Sequence, residues 1–87
     1  MDFASLRDRT IQNTSDFLNT EAALGSTFAG LAKQYKETGN DERYEINKHN
    51  AQAVLDAIDH FKWRLPHDLR MDIEVRRSEL ARRISML

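Results

Sequence analysis

Eighty-seven residues make one domain at most, with a thin core, since a chain this short buries only about 60% of the surface its unfolded state exposes. The absence of cysteine excludes a disulfide framework and every thiolate metal site, and it favours an intracellular, cytoplasmic setting. With 40% hydrophobic and 31% charged residues, three Gly and one Pro, the chain is too apolar for disorder, and its scarcity of turn residues points to an all-α fold.

A compact bundle of three to four helices over residues 1–87 is expected, as a single domain. The first is short, about Asp2 to Gln12, with Phe3, Leu6 and Ile11 facing inward. Asn13-Thr14-Ser15-Asp16 is expected to stop it, because such short polar side chains bond nearby backbone. The second runs from about Asp16 to Thr38, with Phe17, Leu24, Phe28, Leu31 and Tyr35 on one face. Gly39-Asn40 ends it.

The third helix begins at Asn40 or Asp41, where Asp41 and Glu42 suit the positive end of the helix dipole. Tyr44, Ala51, Val54, Leu55, Ile58, Phe61 and Leu65 form its apolar stripe. Pro66 closes it, as a turn or a kink. The fourth runs from about His67 to Met86, with Leu69, Ile73, Leu80, Ile84 and Leu87 on its core face. Short connections favour antiparallel neighbours. No apolar run approaches a membrane span, and Met1–Asp8 has no apolar core flanked by basic residues, so neither a membrane segment nor a signal peptide is expected.

Phe28, Leu31-Ala32, Tyr35 and Gly39-Asn40, followed by Ala51, resemble a tetratricopeptide-type helical hairpin at its characteristic spacings. The resemblance covers residues 28–51. It departs from the family pattern at Tyr44, where alanine is usual, at Lys48, where an aromatic is usual, and at Pro66, which comes too late. It implies a peptide-binding or adaptor role, of the kind that small helical co-chaperones also fill.

Two faces carry more apolar or small residues than a solvated helix needs. Ala22, Gly25, Ser26, Ala29 and Gly30 lie mostly opposite the Phe28/Leu31/Tyr35 stripe, where small side chains admit another helix closely, from within the chain or from a partner. Met71, Val75 and Met86 lie opposite the core stripe of the fourth helix, and Met is frequent on binding surfaces. Trp63, near a helix end, either anchors an interface or folds over the Leu65-Pro66 turn. A protein partner is therefore expected, with a symmetric homodimer as the simplest form.

The charge is uneven: residues 1–59 carry a net −4 and residues 60–87 a net +3. Arg70, Arg76, Arg77, Arg82 and Arg83 give the last helix a basic character, which makes nucleic-acid binding the alternative function. Against it, the pairs Asp72–Arg76, Glu79–Arg83 and Glu74–Arg77 have the spacings of local ion pairs, and no aromatic interleaves to stack on bases. A further alternative is a metal site on the third helix, where Glu45–His49 and Asp56–His60 are each four apart. The two pairs stand about 16 Å from one another, so they cannot share one ion. No phosphate loop or nucleophile setting marks an enzyme, and no cofactor is implied.

Overall fold

The computed structural model describes residues 3–87, except the side chain of Phe3. Among the described residues are three α-helices and no strand: α1 (Phe3–Glu37), α2 (Asp41–Phe61) and α3 (His67–Ser85), with a 3-10 turn at Lys62–Arg64. The molecule measures 55 × 20 × 15 Å. At about 1.5 Å per residue, α1 alone accounts for the long axis.

The break expected at Asn13–Asp16 does not occur. The expected first and second helices are one helix of 35 residues. The polar side chains there satisfy themselves without ending it. Thr10 and Thr14 each donate a hydroxyl to the carbonyl four residues back, both at 3.0 Å, and Gln12 donates to Asp16 at 2.8 Å. The start expected at Asp2 lies outside the described residues, as does the inward orientation expected of Phe3. Leu6 is 46% exposed rather than buried, because no other helix reaches that far along α1.

Gly39 ends α1 with φ at +77°, a conformation that costs glycine little. The Gly39 N–H donates to Lys36 O and the Asn40 N–H to Tyr35 O, which closes the helix end in a Schellman arrangement. The Asn40 side chain then accepts the Arg43 N–H at 3.1 Å and caps α2. One Gly-Asn pair thus stops one helix and starts the next.

Pro66 makes a turn rather than a kink. After the 3-10 turn, Leu65 (ψ 143°) and Pro66 (ψ 163°) are extended, and α3 starts afresh at His67. The chain reverses here: Asp59 meets Arg77, and Tyr44 at the other end of α2 meets Leu87. α2 and α3 are therefore antiparallel, and α3 runs alongside α1 in the same direction.

The core comprises Leu18, Ala22, Ala29, Ala32, Ala51, Val54, Ile58, Leu65, Ile73, Leu80 and Ile84. The expected faces of α2 and α3 point inward, while α1 turns its small-residue face to the core. Phe17 and Leu24, expected inside, are each 44% exposed. Gly25 shows why: a Cβ there would stand 2.5 Å from Leu80 Cδ2 and 2.9 Å from Val54 Cγ1. α2 and α3 both close on α1 at this point, and only a small face permits that approach.

Candidate functional site

Beside the buried part of the small-residue face, α1 and α3 leave a groove. It deepens into three hollows of about 320, 330 and 180 Å³. The first is lined by Ser15, Asn19, Leu65, Leu69 and Val75 among others. The second has Ala22, Ala23 and Ser26 facing Arg76 and Glu79. The third has Ala29, Lys33 and Lys36 facing Arg83, Met86 and Leu87. Arg76 lines the first and second hollows, and one helical turn separates the second from the third, so they follow one line along the two helices.

Five of the residues singled out as a partner interface meet along this groove. Ala22 and Ala29 form its floor at 5% and 2% exposure, Ser26 is half-buried, and Val75 and Met86 stand on its rim. Gly25 is not available to a partner, because Val54 and Leu80 of the same chain occupy the space over it. Met71, one turn before Val75, is exposed and lines none of the three hollows. Trp63 lies apart, at the α2–α3 turn. It remains exposed, with Lys62 Nζ 5.2 Å and Arg70 Cζ 5.1 Å from its ring.

The arginines of α3 do not pair as their spacing suggests. Arg77 reaches across to α2, donating to Asp59 through Nε at 2.6 Å and Nη2 at 2.9 Å. Glu74 takes Lys62 at 2.6 Å, and Lys62 also bonds Asp59 at 3.2 Å. These four groups tie α2 and the 3-10 turn to α3. The hydrogen bond from Arg77 holds the Asp59 carboxyl below the usual carboxylate range; Lys62 adds to this and partial burial opposes it. Among the described residues, Arg76 and Arg83 pair with no carboxylate, because local pairing competes with solvation on an exposed face.

The α2 stripe gathers no metal site: among the described residues, no three His, Asp or Glu side chains converge. His60 instead packs edge-on against Phe61, with ring centroids 4.7 Å apart.

A second apolar surface escaped the sequence reading. Phe17 and Leu24 lie about half a turn around α1 from the groove, and Ile46 of α2 is 52% exposed. Phe17 packs edge-on against Phe61 at 5.6 Å between centroids, which leaves its outer face open. The heptad spacing of Phe17, Leu24 and Leu31 is the signal for it, and it is the same signal that makes a core face of these residues the natural expectation.

No helix among the described residues is long and apolar enough to cross a membrane. No family model, curated protein or solved structure matches the chain.

Proposed function

We propose that the chain is a small helical protein–protein interaction module, an adaptor, co-chaperone or regulator of the cytoplasm, and that it associates with itself. The observation that carries this is the exposure of large apolar side chains on each helix of a thin body. Phe17 and Leu24 line the side of α1 turned from the groove, Met71, Val75 and Met86 lie along α3, and Ile46 stands out on α2, all between 44% and 73% exposed. Scattered exposed apolar residues are ordinary, but aligned ones mark contact surfaces. The hairpin resemblance at Phe28–Ala51 supports the same class.

Light scattering across a concentration series tests this, together with capture from an extract of the native host. Self-association, or a specific partner lost with Val75→Asp, supports the module. A chain that is monomeric throughout and retains no specific partner refutes it.

A second reading rests on the unpaired cations. Among the described residues, Arg76 and Arg83 have no carboxylate partner, and Lys33, Lys36 and Arg83 surround the third hollow. Nucleic-acid binding along α3 would show as retention on heparin that falls steeply with salt. Elution at low salt excludes it.

A further inference from the structure

The first three turns of α1 extend beyond the body. Residues 4–10 are all exposed, and among the described residues the first buried one is Ser15. This arm is about 18 Å long, from Phe3 to Thr14. Residues 4–10 are exposed along their length, only Ile11 and Thr14 at the arm's root are half-buried, and Thr10, Asn13 and Thr14 are poor helix formers.

The arm is not neutral in pattern. Leu6 precedes Phe17 by eleven residues, close to three turns, and Phe17 precedes Leu24 by seven, close to two. All three therefore lie in one line on the side of α1 turned from the groove, and each is 44–46% exposed. The apolar stripe of the body thus continues onto the arm. Arg7 and Arg9 flank Leu6 and form no ion pair among the described residues. With Asp8, they leave residues 3–14 at a net +1. The body beneath, residues 15–61, carries four Lys/Arg against eight Asp/Glu.

We propose that two copies exchange these arms. Two α1 helices pack antiparallel about a two-fold axis near Ser15, and each arm lies on the exposed Phe17–Leu24 stripe of the other copy. That register sets Leu6 of one chain opposite Leu24 of its partner, each nine residues from the axis. Arg7 and Arg9 of each arm then meet an acidic body, twice, by symmetry. A second copy suits this surface because it supplies both missing parts at once: cover for the stripe and support for the arm. The arrangement is isologous and closes at two chains. It rests on the interaction-module reading and specifies which surface carries the self-association, leaving the α1–α3 groove free.

The test is light scattering on the full chain and on Leu6→Asp, Leu24→Asp, Arg7→Glu/Arg9→Glu and Val75→Asp variants, with circular dichroism as a check of folding. Leu6 and Leu24 lie outside the core, so their variants keep the body folded. The expected result is a two-chain mass, with dissociation constants raised at least about tenfold by Leu6→Asp and by Leu24→Asp. The arginine reversal weakens the dimer too, high salt does the same, and Val75→Asp leaves it unchanged. A dimer indifferent to Leu6→Asp overturns the arm exchange while leaving the module reading intact. A single-chain mass up to millimolar concentration also overturns it, and the module reading then depends on capture of a different partner.

Discussion

A methyl group added at Gly25 meets Leu80 and Val54 at 2.5 and 2.9 Å, and Leu80 is only 1% exposed, so it has little room to yield. Gly25→Ala should therefore destabilise the fold by about 1–3 kcal/mol through overpacking. Five residues on, the same substitution has the opposite sign. A Cβ at Gly30 meets only Arg83 Nη2, at 3.6 Å, so Gly30→Ala should stabilise α1 by up to about 1 kcal/mol through helix propensity. Denaturant midpoints of the two variants check both signs. The contrast also explains why the inner face of α1 was hard to read. Apart from Leu18, burial there is carried by Ala22, Gly25, Ala29 and Ala32, whose side chains have almost no hydrophobic signal. The larger Phe17 and Leu24 draw the eye to a face that is half open.

At the level of the helices, α2 and α3 were legible because bulky residues define their inner faces: Val54 and Ile58 on one, Ile73, Leu80 and Ile84 on the other. The α1 boundary was not. Threonine and asparagine both cap helices and ride within them, and only the direction of each hydroxyl hydrogen bond decides which. The charged contacts were equally hidden, since the partner of Arg77 is eighteen residues away in sequence. That contact has a pH signature. The Asp59 carboxyl titrates lower in the folded chain than in the unfolded one. Its contribution is therefore complete above the unfolded value of about 4 and is lost as pH falls through the folded one. Asp59 is 38% exposed, so solvent screening keeps the effect small, about 1 kcal/mol at neutral pH. Urea titrations of Asp59→Asn should show that loss at pH 7 and little difference from the parent chain once both are well below the folded value.

The whole molecule divides into a three-helix body and a projecting arm, and the two should differ in cooperativity. Amides at residues 18–32 of α1 are expected to exchange hydrogen only with global opening, while those at 4–13 exchange through local fraying. Exchange measured by mass spectrometry at rising protein concentration then reports the arm directly: its protection grows where a second copy covers it and stays near zero where none does. Protection of 4–13 equal to that of 18–32 in the dilute monomer would contradict the division into body and arm.

The 55 Å length has a hydrodynamic consequence. A rod of 10.1 kDa meets more friction than a sphere of the same mass, so it diffuses slowly and leaves a sizing column early. Calibrated against globular standards, a single chain will imitate a larger particle, and retention time will suggest association whether or not any occurs. Its rotational diffusion is likewise anisotropic, fast about the α1 axis and slow end over end.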